Sequence, residues 1–158
     1  MISVITTLFN YKGYIEDCIN SFLSQDFEDS EMIVVDDAST DKPLKRIKQY
    51  LSGRVSYIRL DTNRGYSHAK NVGIKASFGE YLVMLDADDM LTEGSLSRRY
   101  AKIQEGFDLV HGPALNFKKG QTSPCSLWNE WRKSKKDASC YRLIHAQVFD
   151  EVNIRWIG

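Results

Sequence analysis

From Ile2 to Phe9 the chain is apolar and β-branched with few interruptions, the pattern of a strand buried on both faces. A polar turn through Asn10, Lys12 and Gly13 follows, after which Ile15, Cys18, Ile19, Phe22 and Leu23 recur at helical spacing. Met32-Ile33-Val34-Val35 predicts a second strand, closed by Asp36 and Asp37. Ser39, Thr40 and Asp41 form a turn, and Pro43 is placed as the first residue of a helix carrying Leu44, Ile47 and Leu51 inward. Val55 to Leu60 predicts a third strand and Asp61 to Gly65 a loop. Ala69, Val72, Gly73 and Ala76 then form a helix face of small residues, suited to close approach. Gly79 stops that helix, and Glu80 to Leu85 predicts a fourth strand.

Leu96, Tyr100 and Ile103 predict a further helix with Gly106 as its C-cap, and Phe107 to Phe117 a further strand. Beyond Lys118 the pattern weakens: Lys119-Gly120 reads as a turn, Ser126 to Lys136 as a short helix, and Tyr141 to Val148 as strand turning into helix. Strand and helix alternate at least three times. That order implies right-handed crossovers and an α/β fold with a mainly parallel, Rossmann-like sheet and helices on both faces. Ligands of such sheets bind beyond the carboxyl ends of the strands, the edge where Asp36, Asp37, Asp86, Asp88 and Asp89 are predicted to lie.

The acids at that edge need compensation. Leu85-Asp86-Ala87-Asp88-Asp89 ends an apolar strand in three carboxylates, which repel one another unless a cation or hydrogen-bond donors intervene. A divalent metal is the simplest compensation, and an acidic loop that merely solubilises a strand end is the competing reading.

Composition narrows the classes. At 158 residues, 42% hydrophobic and 27% charged, the chain is long enough for one sizeable core. Lys and Arg total 21, as do Asp and Glu, so no overall field draws it to nucleic acid or an anionic membrane. The apolar runs are too short to span a bilayer and no signal-like segment follows Met1, so a cytoplasmic location is expected. Cys18, Cys125 and Cys140 are odd in number and lack paired-ligand spacing, against a disulfide framework or a zinc site.

Three segments in order carry a resemblance: Val34-Val35-Asp36-Asp37-Ala38-Ser39-Thr40-Asp41, Asn63-Arg64-Gly65-Tyr66-Ser67-His68-Ala69-Lys70-Asn71-Val72-Gly73, and Leu85-Asp86-Ala87-Asp88-Asp89. With Ser3-Val4-Ile5-Thr6-Thr7-Leu8-Phe9-Asn10 and Leu23-Ser24-Gln25, the region from Ile2 to about Leu96 resembles the family 2 glycosyltransferases, whose nucleotide-binding half has the GT-A fold. The resemblance implies that Thr7 and Phe9 meet the nucleotide base and that Asp37 hydrogen-bonds it, commonly as uracil. For Thr7 and Phe9 the competing reading is a plain core strand, and for Asp37 an Asx-type cap.

In Asp86-Ala87-Asp88 the resemblance places the first carboxylate near the ribose and the second on Mn²⁺ or Mg²⁺, with Asp89 in the metal's outer shell. The chemistry is consistent: a nucleoside diphosphate leaving group is an anion that such an ion neutralises, while supplying most of its oxygen ligands. Gly65, Lys70 and Asn71 match the segment that faces the nucleotide, and Arg64 and Gly65 precede a helix start that favours an anion. Lys70 stands where arginine is more usual, and a solvated helix lysine is its competing reading.

The implied activity is a metal-dependent glycosyltransferase, or its donor-binding portion, that moves a sugar from a nucleoside diphosphate sugar, expected to be a UDP-sugar, with inversion, to an unknown carbohydrate, lipid or protein acceptor. Residues 1–117 are expected to bind the donor and 118–158 to begin an acceptor-side region. The chain is expected to stop short of the acidic pair that would hold the catalytic base, so no base is assigned. The resemblance puts Trp128, Trp131, Tyr141 and His145 on the acceptor side, where aromatic rings could stack on a sugar, and the favoured competing reading for Trp128 and Trp131, at i and i+3, is the buried face of a helix. Two other readings remain: a nucleotide-sugar-binding module without transfer, and a Mg²⁺-dependent phospho-receiver domain that also pairs strand-end acids.

Overall fold

A computed structural model describes residues 1–51, 53–107, 109–111 and 142–145. The elements are β1 (Ile2–Leu8), α1 (Ile15–Leu23), β2 (Ser30–Asp36), α2 (Leu44–Ile47), β3 (Val55–Arg59), α3 (Tyr66–Ala76), β4 (Tyr81–Asp86), α4 (Ser95–Gln104), β5 (Leu109–His111) and β6 (Arg142–His145). They form one sheet in the order β3-β2-β1-β4-β6-β5. β1 pairs in parallel with β2 and β4, and β2 with β3, while β6 runs antiparallel to β4 and β5. The expected mainly parallel α/β sheet is therefore present, with an antiparallel edge.

Side-chain alternation along the central strands divides the core in two. Ile2, Val4 and Leu8 of β1 pack with Met32, Val34, Val83 and Leu85 against Ile15, Cys18, Ile19 and Phe22 of α1, Ile47 of α2 and Leu96 and Ile103 of α4. On the opposite face Ile5 packs with Leu82 and Met84, and Ile33 and Val35 with Ala69, both beneath α3. Helices thus cover both faces, which is why the central strands read as continuous apolar runs. The small face of α3 has a steric reason: a Cβ on Gly73 would stand 2.4 Å from Ile5 Cγ2.

Several boundaries differ from the sequence reading. β1 stops at Leu8, and Phe9 is exposed instead of extending the core strand. Pro43 caps a helix of only four residues, and Lys48–Tyr50 continues it as a 3-10 turn, so Ile47 is buried while Leu44 and Leu51 face solvent. A helix this short presents one inward position, not a full stripe. The strand expected from Phe107 begins at Leu109, and Phe107 is exposed. Arg142–His145 forms the strand expected from Tyr141. The turn at Lys119-Gly120, the helix from Ser126 to Lys136, and Trp128, Trp131 and Tyr141 lie outside the described residues, and His145 is described only as part of a strand. No helix among the described residues is long and apolar enough to cross a membrane.

Candidate functional site

The carboxyl ends of β1, β2 and β4 meet the start of α3 around a cavity of about 550 Å³, within the range of small-molecule sites. Thr7, Leu8, Phe9, Tyr11, Asp37, Asn63, Gly65, Tyr66, Ala69, Asp86, Ala87 and Asp88 line it. Six of the expected residues therefore stand around one space: Thr7, Phe9, Asp37, Gly65, Asp86 and Asp88. Three do not line it. Asn71 is half-buried on α3, Asp89 follows the turn closed by its own amide on Asp86 O, and Lys70 lies beneath the wall.

The two acids ending β2 have separate tasks. Asp36 is wholly buried, and its Oδ1 accepts the Ser39 amide at 2.8 Å. Its Oδ2 accepts the Tyr57 hydroxyl and Arg59 Nη1, so burial of this charge is compensated within the fold. Burial and the bond to Asp36 push the Tyr57 phenol up to about 12. Asp37 turns the other way. Its Oδ1 accepts the Arg64 amide and its Oδ2 the Gly65 amide, each at 2.8 Å. The turn-capping role weighed for Asp37 thus belongs to Asp36, whereas Asp37 holds the loop that leads into α3.

Gly65 makes that arrangement possible. Its φ of 87° lies in the region that side-chain-bearing residues rarely adopt, and the resulting turn points two consecutive amides at one carboxylate. Ala38, just after the acids, also has a positive φ, 59°, where its amide bonds back to Asp36 O. Asn10 and the Ser39-Thr40 turn interlock: the Asn10 amide bonds Ser39 Oγ, and the Thr40 amide bonds Asn10 Oδ1. The loops after β1 and β2 are thereby fixed to each other beside the cavity.

Lys70 is not the solvated helix residue that was one of its two readings. It is fully buried, with Nζ 3.3 Å from Asp86 Oδ1 and 4.9 Å from the Tyr66 ring centroid. Burial lowers its pKa, and Asp86 partly opposes that shift. Tyr66, which the sequence reading passed over, donates its hydroxyl to the same Asp86 oxygen at 2.9 Å. Burial and Asp86 both push its phenol up. Asp86 is thus compensated from within the fold, and the metal inferred for the whole acidic cluster is not needed for this member. Beneath it, Cys18 Sγ donates to Asp86 O at 3.6 Å, and burial pushes that thiol up.

Asp88 is exposed at the cavity wall, with Asp89 half-buried next to it. Among the described residues no group of three or more acidic, His or Cys side chains is arranged to hold a metal ion. One or two hard carboxylate donors at an open mouth still suit Mg²⁺ or Mn²⁺ when a diphosphate provides the remaining oxygens. The loop carrying these acids is pinned to α1. Ser21 Oγ accepts the Leu91 amide, while Gln25 donates to Thr92 O and accepts the Leu96 amide.

The family model for glycosyl transferase family 2 matches residues 3–152. The chain belongs to this family. Glycosyltransferase GlyG of Streptococcus pneumoniae serotype 4 is 32% identical over 120 residues, covering 74% of this chain and 40% of that protein. Among solved structures, S. aureus TarS 1-349 in complex with UDP-GlcNAc is 27% identical with a TM-score of 0.80, covering 99% of this chain and 48% of that one. A mannosyltransferase from Pyrobaculum calidifontis, in complex with GDP-Man and Mn²⁺, is 26% identical with a TM-score of 0.57, over 64% of this chain and 31% of that one. The chain thus spans less than half the length of these proteins. The fold is of the GT-A type and the homologues are glycosyltransferases, which removes the phospho-receiver reading.

Proposed function

We propose that residues 1–117 form the donor site of a metal-dependent glycosyltransferase acting on a nucleoside diphosphate sugar, with UDP as the favoured nucleotide, and that 118–158 begin the acceptor side. The observation that carries this reading is the convergence of Asp37, Thr7 and Phe9 with Asp86 and Asp88 around one cavity. UDP-GlcNAc in the TarS complex supports the uridine preference, and Mn²⁺ in the mannosyltransferase complex supports the metal.

In this reading Phe9, 43% exposed at the end of β1, offers a ring face to the base, with Thr7 beside it. Asp37 lies at the base end and already orders the amides of Arg64 and Gly65. Asp86 accepts from the ribose. Asp88, with Asp89 behind it, would hold Mg²⁺ or Mn²⁺, which when bound neutralises charge on the departing diphosphate. Lys70 lends positive charge from below, and Asn71, half-buried on α3, is taken with it as part of the segment that the family turns towards the nucleotide. The cavity's carboxylates are Asp37, Asp86 and Asp88, each engaged in this scheme, so none is assigned as base for the acceptor hydroxyl. Inversion of the sugar rests on the family resemblance.

Thermal denaturation with UDP, GDP and CDP, each with and without Mn²⁺, tests the reading. UDP with Mn²⁺ is expected to raise Tm most, because a ligand that binds only the folded state stabilises it. No shift with any nucleotide would remove the donor site. Asp88→Ala is expected to abolish the metal-dependent increment while leaving the ligand-free Tm unchanged.

A further inference from the structure

Asp86 has two unlike oxygens. Oδ1 accepts from Tyr66 and from Lys70, at 2.9 Å and 3.3 Å, while no donor among the described residues reaches Oδ2. The side chain is 40% exposed and belongs to the cavity wall. Lys70 and Asp86 together form a nearly neutral pair, so the open oxygen favours a neutral hydroxyl donor over another cation. Tyr66 is the member of this trio at the surface. It is 46% exposed, lines the cavity, starts α3, and lays its ring over the Lys70 ammonium.

We propose that Tyr66 is a positioning residue for the donor: its hydroxyl and its ring over Lys70 hold the Asp86 carboxylate so that Oδ2 meets the ribose diol of the bound nucleotide. This rests on the donor-site reading and adds to it a residue outside the acidic motif. The helix start sets the geometry. Gly65, tied to Asp37, fixes the first turn of α3, and that turn places Tyr66 and Lys70 four residues apart on the side that faces the end of β4. Asp37 at the base end and Asp86 at the ribose end are therefore linked through one helix start.

The test is titration calorimetry in Mn²⁺ with UDP and GDP, each beside its 2′,3′-dideoxy form, on the wild type, Tyr66→Phe and Tyr66→Leu. The wild type is expected to prefer the ribose form. Tyr66→Phe loses one hydrogen bond and should weaken the ribose nucleotide about three- to tenfold, while affinity for the dideoxy form stays within about twofold. Tyr66→Leu, which also removes the ring from Lys70, should narrow the ribose-to-dideoxy ratio further. A residue that served only the fold would change both nucleotides equally. An unchanged ratio in both variants, alongside wild-type binding, overturns the role of Tyr66 and leaves the donor site standing. Failure of the wild type to bind any of these nucleotides overturns the donor site and this role with it.

Discussion

Lys70 Nζ lies 3.3 Å from Asp86 Oδ1, yet the lysine is wholly buried and the carboxylate 40% exposed. Desolvation falls almost entirely on the ammonium, and its pKa is lowered accordingly. Removing the lysine leaves behind a carboxylate that water can reach. Lys70→Met should therefore keep the fold or stabilise it by about 1–2 kcal/mol, unlike deletion of one partner from a fully buried pair. The sign of the pH dependence follows. Below the lowered folded pKa the cost of burying the charge is fully present, and it is relieved as pH rises through that value towards the ordinary 10.5. Urea denaturation should show Lys70→Met losing its advantage over wild type as pH rises through that window towards 10.5, and UDP titration at neutral pH should show weakened binding.

Asp37 meets two backbone amides with two oxygens, so Asp37→Asn replaces one acceptor by an NH₂ that faces a donor. The expected loss is about 1–3 kcal/mol of stability, since an amide is left unsatisfied and a charge-assisted bond is lost. Hydrogen exchange should localise the change, with the Arg64 and Gly65 amides exchanging faster than those of β1. Equal protection in variant and wild type would show that the loop is held by other contacts.

The central strands were legible because burial on both faces leaves an apolar run that no surface strand would carry. Helical spacing misled at Leu44 and Leu51: α2 spans only Leu44–Ile47 before a 3-10 turn, and of the three residues only Ile47 turns inward. At the site, the positions of Asp37, Asp86 and Asp88 could be read from strand ends, because in a parallel sheet those ends share one edge. The partners could not. That Asp36 and not Asp37 caps the Ser39 turn depends on Tyr57 and Arg59 from a neighbouring strand. The burial of Lys70 depends on how closely α3 lies on the sheet, and an exposed tyrosine at a helix start gives no sequence signal until its hydroxyl is seen against Asp86.

Tyr57 makes the alkaline limit of the fold testable. Its phenol is raised by burial first and then by the bond it donates to Asp36. A raised folded pKa means that the neutral form is favoured in the fold. This contribution is fully present below the ordinary value of 10, and is lost as pH rises from there through about 12. Ultraviolet titration should resolve a late-ionising phenol that Tyr57→Phe removes. At neutral pH the same variant should be less stable by about 1 kcal/mol, because buried Asp36 keeps Arg59 and Ser39 but loses one donor.

Gly73 decides how near α3 comes to the sheet, and hence where Tyr66 and Lys70 stand. A Cβ there would sit 2.4 Å from Ile5 Cγ2 and 3.3 Å from Val35 Cγ2, too close for either to remain in place. Alanine improves helix propensity by about 1 kcal/mol, but overpacking a tight contact typically costs about 1–3 kcal/mol, so Gly73→Ala should be neutral to destabilising. Ile5→Leu removes the branch methyl that collides, at nearly constant volume. The double variant Ile5→Leu, Gly73→Ala should therefore be more stable than the sum of the single effects, a coupling that a urea double-mutant cycle reads directly. Strict additivity would show that α3 shifts away from β1 without resistance, in which case UDP affinity should fall in Gly73→Ala and stay low in the double variant.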